Sequence, residues 1–300
     1  MGSVGSGPRR TLDAPSAGAE GKLDGERRDA PATSGPPTPD FGMFPRVQNA
    51  VVRSPSPSMG EGLTTQTLGR PDVEKATAQH RAYVDALGRV GVKVRCLPPV
   101  SELPDSHFVE DTAILHRGVA ILTRPGAESR RAEVDRIRPV MEREMEVRTL
   151  GPDRDARLDG GDVLLAGRHA LIGISERTNR AGARLLAHRL REIDPELRVH
   201  LVPFDGPLHL KSGLTALRPD AYLGQPAIHL RSALPAPVHW LPSSEGYAAN
   251  VLPVNDTLFV LAGSPTVRAL ATRYARRVVP LDLSEFRKMD GSLTCLSLLW

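Results

Sequence analysis

Cysteine is almost missing: the chain of 300 residues has two, Cys96 and Cys295. Two thiols cannot staple a chain of this size, and in a reducing compartment they stay apart. Aromatic residues make up only 4%, which leaves few platforms on which bases could stack. The net charge is a slight +4, and the arginines are scattered rather than interleaved with aromatic rings. Both facts argue against a nucleic-acid groove. No apolar run approaches the roughly 20 residues that span a bilayer, and MGSVGSGPRR at the start lacks a signal peptide's apolar segment. No Gly-rich phosphate loop follows a strand-like stretch, since the glycines of LDGGDVL precede one. What remains is an expected soluble, cytoplasmic protein with neither membrane nor nucleic-acid partners.

An apolar content of 40% is enough for a substantial core. Residues 1–42 do not contribute to it. They are rich in Gly, Pro, Ala and Ser, as in APATSGPPTPDFG, and cannot bury enough surface to offset their ordering entropy, so a disordered tail is expected. From residue 43 to 300 the pattern is that of one folded domain. RVQNAVVR reads as a strand and RPDVEKATAQHRAYVDALGRVG as a helix, with Val73, Ala76, His80, Tyr83, Val84 and Leu87 on one face. VKVRCLP is the next strand, with Cys96 expected as a small core residue.

An internal repeat follows. Segments starting at Arg117, Gly167 and Asn255 each read as turn, short apolar strand, polar loop and amphipathic helix, and each runs into a further strand. Ala183, Leu186, Leu190 and Ile193 form one helix face; Val267, Leu270, Ala271 and Tyr274 form another. Pro139 should bend or shorten the helix of the first segment. Such ββαβ-like units could close into a ring, which hides sheet edges; an open doubly wound sheet is the competitor.

The loops of these units carry unusual side chains. VEDTAIL places Glu110 and Asp111 together at the mouth of a strand, where a core needs no carboxylate. PDSHFVED adds Asp105, LDGGDVL adds Asp159 and Asp162, RPGAESRR and SERTN add Arg130 and Arg177, LHLKSGL adds His209 and Lys211, and the last segment holds Cys295. In a ring, equivalent loops would converge. Carboxylates would then hold a planar guanidinium, two arginines a carboxylate, and thiol with imidazole would form a nucleophile and acid/base pair. Each feature also has an ordinary explanation: a turn cap, a hairpin of glycines, a solvated arginine, a half-buried histidine.

At these residues the sequence closely resembles the dimethylarginine dimethylaminohydrolase family of the amidinotransferase/deiminase superfamily. GLTTQTLGRPD, PDSHFVEDTAIL, TRPGAESRR, LDGGDVL, SERTNRAGA, LHLKSGL, YAAN and DGSLTCLSL carry the resemblance, in the family's order. It implies an α/β fold, a five-fold pseudosymmetric β/α propeller of ββαβ repeats (a pentein). The implied reaction is hydrolysis of Nω-methylated arginine to citrulline plus dimethylamine or methylamine, through a covalent S-alkylthiouronium on cysteine, without a cofactor. Cys295 is implied as nucleophile and His209 as acid/base. Asp111 and Asp159 would face the guanidinium with Glu110 beside them, and Asp105 would contact substrate. Arg130 and Arg177 would grip the amino acid's carboxylate, and Leu63 would belong to a flap over the site. Met289 stands where the family usually has valine or isoleucine. No metal is required, although Zn²⁺ could be caught by Cys295 and His209 and inhibit. A monomer or homodimer is expected. An arginine deiminase releasing ammonia and a non-enzymatic propeller are the alternatives.

Overall fold

The structure, a computed structural model, describes Gly2 and residues 44–300; apart from Gly2, the tail expected over 1–42 lies outside the described residues. The first repeat begins with β1 (Asn49–Arg53). Helix α1 (Val73–Arg89) follows, with the Asp72 side chain accepting a hydrogen bond from the Lys75 N–H at 3.0 Å. Its buried face includes Ala76, His80, Tyr83 and Leu87, spaced as a 3.6-residue period requires. Strand β2 (Lys93–Leu97) then returns parallel to β1.

The second repeat pairs β3 (Ala113–His116) with β4 (Val119–Leu122) in an antiparallel hairpin. Its two turn residues, Arg117 and Gly118, have φ of 46° and 76°, the positive values that a two-residue hairpin turn needs. Helix α2 (Arg131–Met141) and β5 (Glu146–Thr149) complete the unit, with β5 parallel to β4. The third repeat is β6 (Val163–Ala166), β7 (His169–Ile174), α3 (Arg180–Ile193) and β8 (Arg198–Asp205). A single turn, α4 (Leu210–Gly213), introduces the fourth: β9 (Leu214–Arg218), β10 (Ala221–Gly224), the two-residue β11 (His229–Leu230) and β12 (Val238–Trp240), which lies parallel to β10. The fifth is β13 (Leu252–Val254), β14 (Thr257–Leu261), α5 (Pro265–Ala271) and β15 (Arg277–Leu281). After the one-turn α6 (Ser284–Arg287), the final strand β16 (Leu298–Leu299) pairs antiparallel with β1. The carboxy-terminal strand thus supplies the missing first strand of repeat one.

Five sheets result, ordered β16-β1-β2, β3-β4-β5, β11-β8-β7-β6, β12-β10-β9 and β13-β14-β15. This is the ββαβ pentein architecture. The middle strands β4 and β14, VAIL and TLFVL, are buried at every residue, as strands covered on both faces must be. Outer strands are more polar. That explains Cys96, which is exposed rather than in the core: β2 is an edge strand, and its thiol lies 3.3 Å from the Ser54 hydroxyl.

Helices depart from the sequence pattern in three places. Helix α2 passes through Pro139 and ends two residues later, at Met141. Helix α5 ends at Ala271, so Tyr274 sits in the following turn. The fourth repeat, which the sequence pattern did not reveal, has no helix between β10 and β12.

Candidate active site

The repeats explain where the chemistry falls. Immediately before the first strand of each unit, the chain makes one helical turn. Val109–Thr112 precedes β3 and carries Glu110 and Asp111. Asp159 caps Gly160–Asp162 before β6. His209 caps α4 before β9. Ser243–Ala249 leads through Asn250 to β13, and Thr294–Leu296 carries Cys295 toward β16. A second class of residues comes from the stretch between middle strand and helix: Leu63 in repeat one, Arg130 in repeat two, Arg177 in repeat three.

Close packing of the turns requires glycine. A Cβ at Gly161 would stand 2.7 Å from His209 Nδ1 and 3.0 Å from Asp111 Oδ1. The Gly161 N–H instead donates to Asp111 Oδ1 at 2.7 Å. Leu63, Asp105, Phe108, Asp111, Arg130, Arg177, Leu208, His209, Met289, Asp290, Gly291 and Cys295 line one pocket of about 340 Å³, counted to its open mouth.

Cys295 is a thiol in this setting. Burial, followed by the charges of Glu110 and Asp111, pushes it up to about 12. His209 is the reverse case. Burial opposes its charge, but Asp111, the hydrogen bond its ring donates to Asp159 and the nearby Asp162 outweigh that and raise it to about 9. The ring is therefore an imidazolium at neutral pH. Its Nε2 lies 3.0 Å from Asp159 Oδ2. Asp159 is fully buried and also accepts from the Gly126 N–H at 2.7 Å. Asp162, likewise buried, accepts from the Leu210 N–H at 2.8 Å and from the Ser175 hydroxyl at 2.7 Å. Together Asp159 and Asp162 fix the histidine turn from behind.

The two arginines are not equivalent. Arg130 is buried, with Nη1 donating to Asp111 Oδ2 at 2.5 Å and its other donors to Glu133 at 3.0 and 2.7 Å and to the Phe108 carbonyl at 3.2 Å. Burial disfavours its charge, yet Glu133 and Asp111 hold it well above the ordinary range. Glu133 is in turn pushed up by burial to about 7. Asp111 is held well below the carboxylate range because His209 and Arg130 together outweigh its burial. Arg177 has only a distant contact, 3.9 Å from Asp159, so its donors face the pocket with little competition.

Of the ten residues assigned by resemblance, eight line the pocket: Leu63, Asp105, Asp111, Arg130, Arg177, His209, Met289 and Cys295. Asp159 does not; it stands behind His209, so its contact is with the ring rather than with the pocket space. Glu110 does not either. Its carboxylate turns away to Lys211 Nζ at 2.6 Å and accepts from the Thr294 hydroxyl at 3.0 Å. Burial raises its pKa, with Lys211 opposing. The Asp111–Arg130 pair and the Glu110–Lys211 pair answer the adjacent carboxylates of VEDTAIL. Cys295 and His209, the expected zinc pair, line the same pocket. The donor atoms that lie within 4.8 Å of one another belong to Asp111, Asp159 and His209. Arg130 and the Gly161 N–H each occupy one acceptor site on Asp111, one per oxygen, which leaves each oxygen able to accept again.

Three contributors had no assigned role. Asn250 receives the Thr294 N–H at 3.1 Å, and its own amide donates to the Thr294 hydroxyl at 3.1 Å and the Lys211 carbonyl at 2.8 Å. It thus ties the cysteine turn to the histidine turn. Lys211 neutralises Glu110, and Thr294 links both. Equivalence of the turns was the available signal: Asn250 occupies the fifth repeat's position in a series that otherwise reads Asp111, Asp159, His209, Cys295.

Fold and pocket define a pentein whose ring of turns joins a thiol, an imidazole and buried carboxylates. The eukaryotic N,N-dimethylarginine dimethylhydrolase family model matches residues 69–209. The N(G),N(G)-dimethylarginine dimethylaminohydrolase of Pseudomonas aeruginosa is 36% identical over 262 residues, covering 85% of this chain and 99% of that protein. The chain belongs to the dimethylarginine dimethylaminohydrolase family. Two solved structures share the fold over 85% of this chain and 100% of theirs, at 36% identity. One is a P. aeruginosa enzyme variant with cysteine replaced by serine, complexed with citrulline (TM-score 0.79); the other is a dimethylarginine dimethylaminohydrolase adduct with S-methyl-L-thiocitrulline (TM-score 0.78).

Proposed function

We propose that this chain hydrolyses asymmetric dimethylarginine and monomethylarginine to citrulline, releasing dimethylamine or methylamine, with Cys295 as nucleophile and His209 as acid/base. One observation carries the reading: the half-buried Cys295 thiol and the His209 imidazole share a pocket with Asp111 and Arg177. Family membership supports the same chemistry, since a relative's structure holds citrulline.

A guanidinium is a poor electrophile because its charge is delocalised. Asp111 orients its plane, and Arg177 with the remaining Nη1 proton of Arg130 receives the amino acid's carboxylate. On substrate binding the Cys295 thiol loses its proton to solvent, and the thiolate attacks the central carbon, forming a C–S bond while the C–N π electrons move onto nitrogen. The tetrahedral adduct expels the methylated amine, which takes a proton from His209. A covalent S-alkylthiouronium remains. Neutral His209 then removes a proton from water, whose oxygen attacks the same carbon; the C–S bond breaks, the adduct's hydroxyl proton passes to the departing sulfur to restore the thiol, and citrulline leaves. Proton transfer of this kind contributes roughly 10²–10⁴-fold. Asp159 keeps the ring oriented throughout.

The empty pocket favours the thiol, because burial and then the charges of Glu110 and Asp111 oppose a further anion. A bound cation reverses that balance, so the substrate itself activates Cys295. We place the activity in the cytoplasm, with no membrane or nucleic-acid partner, in a monomer or homodimer; among the described residues no helix is long and apolar enough to cross a membrane. The test is a citrulline assay on asymmetric dimethylarginine, arginine and agmatine, with Cys295→Ser as control. Turnover of the methylated substrate alone supports the proposal. Turnover of arginine with ammonia release, or of nothing, refutes it.

A further inference from the structure

We infer that Asp290, a residue outside the thiol–imidazole–carboxylate set, is the latch that holds the pocket's cover closed and thereby sets substrate affinity. This rests on the reading of the pocket given above. The cover is the chain between β1 and α1. Residues 63–70 form neither helix nor strand and are all exposed, so the segment depends on side-chain anchors for its position.

Asp290 supplies most of them. Its Oδ2 accepts from the Thr65 N–H at 2.5 Å; its Oδ1 accepts from the Thr65 hydroxyl at 2.9 Å and from the Gln66 amide at 2.6 Å. Beside it, the Thr64 hydroxyl donates to the Lys288 carbonyl at 2.8 Å. From the other side of the mouth, Asp105 accepts the Leu63 N–H at 3.1 and 3.2 Å. The cover is suspended between two carboxylates. Leu63, Asp105, Met289, Asp290 and Cys295 all line the same pocket.

The anchoring turn is built to hold still. Asp290 has φ of 58°, a left-handed value that side chains other than Asp and Asn rarely adopt. Such strain persists only where neighbours over-determine the backbone. They do so here: the Gly291 N–H donates to the Phe286 carbonyl at 2.9 Å, the Tyr247 hydroxyl donates to the Gly291 carbonyl, and the Phe108 ring leaves no space for a Cβ at Gly291. On the cover side, Gly69 has φ of 84° and nothing near its Cβ position, the freedom a hinge needs. Asp290 therefore acts through Leu63, as a positioning residue. Its bonds exist whenever the cover is closed, over substrate and transition state alike, so they bear on KM rather than kcat.

Steady-state kinetics on asymmetric dimethylarginine and hydrogen exchange on the full chain test this. Asp290→Gly removes the carboxylate without straining the turn, because glycine accepts positive φ. It should raise KM about tenfold with kcat changed less than about twofold, and Asp290→Asn, which keeps one acceptor, should raise KM about threefold. Removing the donors instead, in Thr65→Val with Gln66→Leu, should reproduce the Asp290→Gly effect. In each variant amides 63–70 should lose exchange protection while the five sheets keep theirs. Unchanged KM and unchanged exchange of 63–70 in Asp290→Gly would overturn the inference, as would a fall in kcat at constant KM. The exchange measurement needs no substrate, so it decides on the latch even if no methylarginine is turned over.

Discussion

On one side of the five turns lies the pocket of about 340 Å³; on the other, the inner strands enclose about 1650 Å³ to the open mouth. The first is walled by charged groups. The second is walled by Ala113, Val163, Ala216, Leu252 and Leu298 from the first strand of each repeat. Glu110, Lys211 and Thr294 line the second space while their neighbours Asp111 and Cys295 line the first. One layer of turns therefore presents chemistry to one side and only a neutralised ion pair to the other. Size and accessible apolar wall do not mark the reactive side; unsatisfied charge and a perturbed thiol do.

The largest effect that would sharpen this contrast is expected at Asp159. Asp159→Asn leaves the pocket wall intact but no longer stabilises the imidazolium. Citrulline formation should fall about 10²–10³-fold. The alkaline limb of the pH profile should also move down from about 9, since a carboxylate that raises His209 has been removed. A pH–rate series reads both. Next comes the dividing layer. Lys211→Met leaves the half-buried Glu110 without its cation and should cost about 2 kcal/mol of stability in denaturant titration; adding Glu110→Gln should restore most of it. On the apolar side, Leu298→Ala should cost about 2–3 kcal/mol while kcat/KM stays within about threefold. A larger loss of activity there would break the comparison.

The smallest effect concerns His107, which is fully buried beside Phe108 and Phe286. Burial, then Arg130 and His80, lowers it to about 3. Its folded pKa lies below the unfolded value of roughly 6.5, so its neutral form supports the fold above that pH, and the support is lost as pH falls. At pH 5 the loss is about 2 kcal/mol. His107→Phe should flatten the stability curve between pH 7 and 5 by that amount, measured by urea unfolding at each pH.

Much of this was readable before the structure, for reasons that differ by residue. Helix α1 was legible because Ala76, His80, Tyr83 and Leu87 keep one period. The site residues were legible as unusual polar groups at strand ends, and the resemblance ordered them. What could not be read was which partner each charge takes. Asp111 and Arg130 are 19 positions apart, and Glu110 and Lys211 are farther still; only the ring of turns makes them neighbours. Asp159 looked like a guanidinium ligand because spacing cannot tell the front of a histidine from its back. Asn250 was passed over because an amide in YAAN has no intrinsic reactivity. Cys96 was misplaced because alternation alone does not say which face of an edge strand meets solvent. The fourth repeat escaped notice because its crossover has no helix to announce it.

In the proposed reaction the decisive event is the cation's control of the sulfur. Alkylation of Cys295 by iodoacetamide, followed against pH with and without a saturating, unreactive guanidinium ligand, measures it directly. Reactivity in the empty protein should rise only toward about 12, and occupancy should bring the midpoint down into or below the ordinary thiol range, about 8.5. Coincident pH profiles in the two conditions, after correction for steric blocking with a neutral isostere, would contradict it.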